Sequence, residues 1–312
     1  MKLLFTRPMP APVLEAAHAF ADVEMRDSNV PMTVGELKAS MWLFDAIIPT
    51  LGDACQAGMM EGRCKLLANF GVGYNHIDVA AAKEAGIAVT NTPGAVTDAT
   101  ADIALMLMLM SCRRAGEGER MVRAGDWGGW HPTQMLGLHM SGKTVGIVGM
   151  GRIGQAIARR CHFGFGMDVV FYNRSQKDAG LPARQTETLA ECMAAADVVV
   201  LAIPGGAETR HMINAEALAA MQPHAHLVNI ARGDVMDEAA LIAALDAGQL
   251  AGAGLDVYEF EPKVPEALVA RENVVLLPHL GTAALEVRTS MGLMAVNNVK
   301  AFADGVDLPN PV

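Results

Sequence analysis

The sequence predicts an α/β protein built on parallel sheets and divided into two domains. Three observations predict it. Short apolar or β-branched runs alternate with longer Ala-rich stretches, the pattern of βαβ units whose sheets are covered on both faces. A glycine-rich turn, Gly149-Met150-Gly151-Arg152-Ile153-Gly154, falls directly between an apolar run and a helical one. The length, 312 residues, suits about two domains. Apolar residues at 52% and charged residues at 19% supply sizeable cores and argue against disorder.

The first strands are expected at Lys2–Thr6, Ala46–Pro49, Lys65–Asn69 and Ala88–Thr90. The second set is expected at Thr144–Val148, Asp168–Tyr172, Asp197–Ile203, His226–Ile230, Ala251–Asp256 and Val274–Leu277. Helical spacing marks Thr97–Arg114, Ile153–Cys161 and Asp237–Ala247. Thr97 or Asp98 is the expected cap of the long helix and Gly116 its expected end. Alternating Met106, Met108 and Met110 are expected to pack that helix into a core. Gly125–Ser141, rich in Gly, Trp and His, reads as a loop, and a second break lies near Gly281–Ala284. The expected division is a discontinuous first domain, residues 1–98 plus 284–312, with residues 99–283 inserted as the second.

Charge and cysteines exclude several classes. Twenty-four basic against 34 acidic residues give −10, which repels nucleic acid and anionic lipid. Five scattered cysteines without a CxxC pair suggest neither a disulfide framework nor a zinc cage. Eight histidines besides His279 show no metal-ligand spacing; His224 and His226 form an HxH that runs into an apolar strand. The N-terminal apolar stretch is too short for a signal-peptide core, and no run reaches the ~20 apolar residues of a membrane span. No metal, no membrane and a cytoplasmic location are expected.

The glycine-rich turn has a specific use. Gly149 permits the tight turn, Gly151 lets backbone approach a pyrophosphate, and Gly154 lets helix and strand pack closely. Free N–H groups of the helix start, from Arg152 and Ile153 onward, face the phosphates, favoured by the helix dipole. An NAD site usually places Asp or Glu at the end of the next strand. Here that position is Asn173, followed by Arg174 and Ser175. Arg174 suits pairing with a 2′-phosphate and Ser175 suits donating to it, so NADP(H) is expected over NAD(H).

Three further segments lie at predicted strand ends: Val228-Asn229-Ile230-Ala231-Arg232-Gly233-Asp234, Gly254-Leu255-Asp256-Val257-Tyr258-Glu259-Phe260-Glu261-Pro262, and Leu277-Pro278-His279-Leu280-Gly281-Thr282. In an open α/β sheet, ligands bind outside the carboxyl ends of strands, so Arg232, Glu261 and His279 could converge there. Taken singly, Arg232 also suits a surface ion pair, Glu261 a turn beside Pro262, and His279 a satisfied loop histidine.

Together with Asn69–Asp78 and Thr92–Asp102, these motifs make nearly the whole chain resemble the D-2-hydroxyacid dehydrogenase family. Asn173-Arg174-Ser175, the Leu277–Ala283 segment and the Trp127/Trp130 region resemble its glyoxylate/hydroxypyruvate reductase branch. The resemblance implies two Rossmann-like or flavodoxin-like parallel-sheet domains with a cleft between them, and a homodimer. It also implies reduction of a small 2-keto acid to a D-2-hydroxy acid.

That chemistry asks for these residue types. Arg232 would hold the substrate carboxylate and polarise the keto oxygen through its planar fork. His279 would supply the proton, and Glu261 would orient the imidazole and favour its protonated form. Backbone N–H groups of Val72 and Gly73 would bind the carboxylate, and Leu51 would shape the pocket. By resemblance, Pro204 and Thr209 line the adenine and ribose, Ile230, Ala231 and Gly281 lie on the nicotinamide side, and Asp256 lies near its carboxamide. Asp256 also suits a plain strand-end cap. Trp130 would limit substrate size in a neighbouring subunit or simply pack the dimer. The rivals are an NAD-linked D-3-phosphoglycerate dehydrogenase, a formate dehydrogenase and a nucleotide-sensing corepressor-like protein. The missing acid and the short tail after His279 oppose the first, and Glu261 in place of Gln opposes the second.

Overall fold

The structure, a computed structural model, describes residues 1–312. It divides into two compact units, Met1–Val96 with Thr282–Val312, and Thr97–Gly281.

The first unit holds β1 (Lys2–Phe5), β2 (Asp22–Met25), β3 (Ala46–Ile48), β4 (Leu66–Ala68) and β5 (Ala88–Thr90). They form one parallel sheet in the order β2-β1-β3-β4-β5. Connecting helices are α1 (Ala11–His18), α2 (Val34–Leu43) and α3 (Val79–Glu84). Thr33 and Glu36 cap α2 reciprocally, and Asp78 caps α3. The loop after β3 is tied to the core by buried Asp53. Its carboxylate pairs with Arg7 at 2.9 Å and accepts from Thr6 Oγ1 at 2.6 Å and Thr50 N at 2.9 Å.

The second unit begins with α4 (Thr97–Cys112) and α5 (Ala115–Ala124). Strands β6 (Thr144–Val148), β7 (Asp168–Tyr172), β8 (Arg184–Gln185), β9 (Val198–Leu201), β10 (His226–Asn229), β11 (Gly252–Leu255) and β12 (Val274–Leu276) follow. Between them lie α6 (Arg152–Phe165), α7 (Leu189–Ala195), α8 (Ala215–Ala219), α9 (Glu238–Asp246) and α10 (Glu266–Val269). The sheet is parallel, in the order β12-β11-β10-β9-β6-β7-β8. Strand order reverses between β6 and β9, the usual place for a ligand crevice. Both faces are covered. One core gathers Leu227, Leu241 and Ile213, the other Leu107, Ile147 and Phe171. Helix α11 (Leu285–Asp304) returns the chain to the first unit, where it packs on α1. There Val13 lies against Gly292, at which a Cβ would come within 2.5 Å of it.

The long helix differs from expectation at both ends. It starts at Thr97 itself, and the Asp98 carboxylate bonds Arg160 at 2.9 Å instead of capping. It ends at Cys112, where Arg114 turns left-handed (φ 54°), and Gly116 lies inside a separate α5. That break admits Gly137 against the Cys112 carbonyl, where a Cβ would sit 2.2 Å from the oxygen. Of the three methionines, Met108 alone is fully buried; Met106 and Met110 are half-buried. Edge strands β2 and β8 escape the sequence pattern because neither contains a fully buried residue.

All five cysteines are free and buried. Burial raises their thiols to about 11 at Cys64 and about 12 at Cys55, Cys112, Cys161 and Cys192.

His226 begins β10 in the core and shares a 2.8 Å hydrogen bond with Ser111 Oγ of α4. Burial, helped by nearby His224, lowers it to about 4. Between pH ~6.5 and ~4 the unfolded chain therefore binds a proton that the folded chain refuses. Stability is lost as pH falls through this window, by on the order of 3 kcal/mol. Denaturant unfolding from pH 7 to 4 should show this loss, and His226→Gln should flatten the slope. An unchanged slope would refute the burial argument.

Candidate active site

Register places the site. Asn229 of β10 lies beside Leu255 of β11, which lies beside Leu276 of β12. Three strands thus end together, and the loops leaving them carry Arg232, Glu261 and His279. The imidazole Nδ1 of His279 meets the Glu261 carboxylate at 3.0 Å and 3.2 Å. This leaves Nε2 as the ring nitrogen turned away from the carboxylate. Both side chains are about one-third exposed, 31% each. Arg232 is close enough for its charge to act on Glu261.

Each loop is held by identifiable bonds. Buried Asn229 closes its own turn, accepting from Ala231 N at 3.0 Å and donating to the Arg232 carbonyl at 3.0 Å. Ile230 and Ala231 lie buried within that turn. Gly233 then seats directly on the next loop. A Cβ there would lie 1.8 Å from the Tyr258 carbonyl carbon, so only glycine fits. Gly205 does the same for the arginine side chain; a Cβ at 205 would come within 2.7 Å of Arg232 Cγ. Tyr258 N donates to Glu261 at 3.1 Å, and Tyr258 Oη donates to the Leu277 carbonyl at 2.9 Å, linking the glutamate loop to the histidine loop.

His279 itself is left-handed (φ 55°), a conformation costing a non-glycine residue roughly 1 kcal/mol or more. Asp256 compensates. Its carbonyl accepts from His279 N at 2.9 Å, and its carboxylate accepts from Leu280 N at 2.6 Å and Gly281 N at 2.8 Å. Asp256 is thus a loop anchor in the protein itself.

Charges around the pair follow from burial and neighbours. Burial would raise the Glu261 carboxyl, but the His279 bond, the Tyr258 N–H and the Arg232 charge outweigh it and hold it low. Burial pushes the Arg232 guanidinium down, against the pull of Glu261 and Asp234. Burial raises Asp256, opposed by the Leu280 N–H.

The glycine-rich turn lies at the end of β6. A Cβ at Gly149 would meet the Ala202 carbonyl oxygen at 2.7 Å, and at Gly154 the Gly149 oxygen at 2.1 Å. At Gly151 it would meet nothing within 4 Å, so that backbone opens onto free space. Gly151 N-caps α6, with Arg152 and Ile153 its first residues. This is the shape a pyrophosphate needs: closed behind the backbone and open in front of it. Asn173 joins this turn to the next loop, accepting from Met150 N at 3.2 Å and donating to the Ser175 carbonyl at 2.9 Å. Arg174 pairs with Glu208 at 2.6 Å, both highly exposed. Thr209 Oγ1 donates to the Pro204 carbonyl at 2.8 Å and so shapes the loop after β9.

In the first unit, Gly71 is left-handed (φ 154°) and the carbonyls of its loop are engaged. Asn69 donates to the Gly71 and Gly73 carbonyls at 2.9 and 3.1 Å, and Asn91 to the Val72 carbonyl at 2.9 Å. These bonds fix the carbonyls of the Gly71–Gly73 loop. Leu51 is exposed on the loop after β3, and Trp130 is 79% exposed. Sequence reading missed Asn69, Asn91, Asn229, Gly205 and Gly233 as shaping residues. The available signals were an asparagine at the end of a strand, a Pro-Gly-Gly turn at Pro204–Gly206 and a glycine between the charged Arg232 and Asp234.

A parallel sheet with a phosphate-shaped turn and an Arg–Glu–His group on the same edge defines a dinucleotide-dependent oxidoreductase. The D-isomer specific 2-hydroxyacid dehydrogenase NAD-binding domain matches residues 105–281. The glyoxylate reductase of Thermococcus litoralis is 41% identical, with 100% of this chain and 96% of that protein covered. A crystal structure from Thermus thermophilus superposes with TM-score 0.94 at 42% identity, covering 100% of both chains. The NADPH-dependent glyoxylate/hydroxypyruvate reductase of Sinorhizobium meliloti, solved with NADP and malonate, gives TM-score 0.89 at 36% identity. It covers 100% of this chain and 96% of that one. The chain belongs to the D-isomer specific 2-hydroxyacid dehydrogenase family and is an NAD(P)-dependent oxidoreductase.

Gly205→Ala should leave the fold intact and displace Arg232. We expect kcat/KM for a 2-keto acid to drop roughly 100-fold with little change in Tm. Unaltered kinetics would show that the close approach is dispensable.

Proposed function

We propose that the protein is an NADPH-dependent reductase of small 2-keto acids, glyoxylate and hydroxypyruvate foremost, forming glycolate and D-glycerate. The observation that carries the reading is the 3.0 Å His279–Glu261 bond with Arg232 beside it, on the edge of the sheet that bears the glycine-rich turn.

Arg232 holds the substrate carboxylate and polarises the keto oxygen, aided by the Val72 and Gly73 N–H groups, with Leu51 and Trp130 limiting substrate size. The bound dihydronicotinamide supplies the hydride that the carbonyl carbon accepts. His279 Nε2 gives its proton to the carbonyl oxygen, which completes the alcohol. Glu261, kept ionised, orients the ring and stabilises its protonated form. Gly149, Gly151, Arg152, Ile153 and Gly154 receive the pyrophosphate. Asn173 shapes the 2′-phosphate seat, with Arg174 and Ser175 as donors. Pro204 and Thr209 line the adenosine side. Ile230, Ala231, Asp256 and Gly281 line the nicotinamide side, Asp256 using lone pairs that Leu280 and Gly281 leave open.

The names of the curated and solved relatives support glyoxylate and hydroxypyruvate as substrates and NADP as cofactor. Five buried thiols accord with a reducing cytoplasm. Exposed Trp127, Trp130 and Leu136 in one loop accord with a homodimer.

His279→Asn should leave NADPH binding intact and lower kcat by roughly 100- to 10,000-fold. Unchanged kcat would defeat the proton-donor role. A kcat/KM panel across keto acids with both cofactors tests the substrate assignment. No oxidation of NADPH with any of them would favour a nucleotide sensor.

A further inference from the structure

We propose that Glu208 weakens the preference for NADPH by occupying Arg174 and so opposing a 2′-phosphate; this rests on the reading of Arg174 given above. Arg174 follows β7 and Glu208 follows β9, and β6 lies between those strands. The 2.6 Å ion pair therefore joins the loops on either side of the glycine-rich turn. Both loops have fixed backbones. Asn173 bonds Met150 and Ser175 on one side, and Thr209 bonds the Pro204 and Gly206 carbonyls on the other. The two charged side chains are free to move, being 86% and 80% exposed.

A 2′-phosphate carries close to two negative charges and needs the same guanidinium that Glu208 holds. Seating it on Arg174 breaks the pair and leaves Glu208 as a like charge nearby. A 2′-hydroxyl breaks nothing and donates a hydrogen bond to a carboxylate. Glu208 thus narrows the NADPH preference that Arg174 and Ser175 alone would create. An exposed pair is worth little, so the effect is modest.

Fluorescence titration of the full chain with NADPH and with NADH tests this in the wild type, Glu208→Gln and Arg174→Ala. We expect Glu208→Gln to tighten NADPH on the order of fivefold, to leave NADH unchanged or weaker, and to lose much of that gain at high salt. Unchanged NADPH affinity, or equal gains for both cofactors, overturns the role of Glu208. Arg174→Ala separates the two ideas. Selective loss of NADPH there, with Glu208→Gln silent, rejects Glu208 and keeps the 2′-phosphate reading. Equal loss of both cofactors in Arg174→Ala rejects that reading itself.

Discussion

The site depends on a backbone contact with no room for a side chain. Gly233 rests on the Tyr258–Glu259 peptide, and this seat sets the loop of Arg232 against the loop of Glu261. A second constraint acts on His279, whose left-handed backbone persists because Asp256 holds it through three hydrogen bonds. The imidazole–carboxylate bond is the product of both. Strain at the histidine and the loss of freedom in these loops are offset by bonds to buried groups, and flexible loops could not position the pair in this way.

The parallel sheet makes this arrangement economical in structural terms. Every strand of the second unit ends on the same edge, so loops separated by dozens of residues become neighbours. β6 contributes the glycine-rich turn, β7 and β9 its flanks, and β10, β11 and β12 the Arg–Glu–His group. Asn229 and Tyr258, through bonds to neighbouring backbone and to Glu261, convert proximity of strand ends into fixed geometry.

Much of this was legible in the residues. Central strands of both sheets announce themselves as apolar runs because both of their faces are buried. Edge strands β2 and β8 do not, since partial exposure erases the run. Glycine is the usual helix stop, so the pattern points to Gly116, whereas the chain turns at Arg114 in a conformation that sequence patterns rarely signal. Arg232, Glu261 and His279 were recognisable only as a set following strands. The Arg174–Glu208 pair was invisible because residues 34 apart meet only through sheet order.

The buried thiols carry a practical consequence. With Cys64 raised to about 11 and the other four to about 12, fewer than about one in a thousand would be thiolate at neutral pH. Peroxide and maleimide find little to attack in the folded chain. A single cysteine introduced on the surface would thus be the sole reactive handle, open to dyes or spin probes without first stripping out the native sulfur.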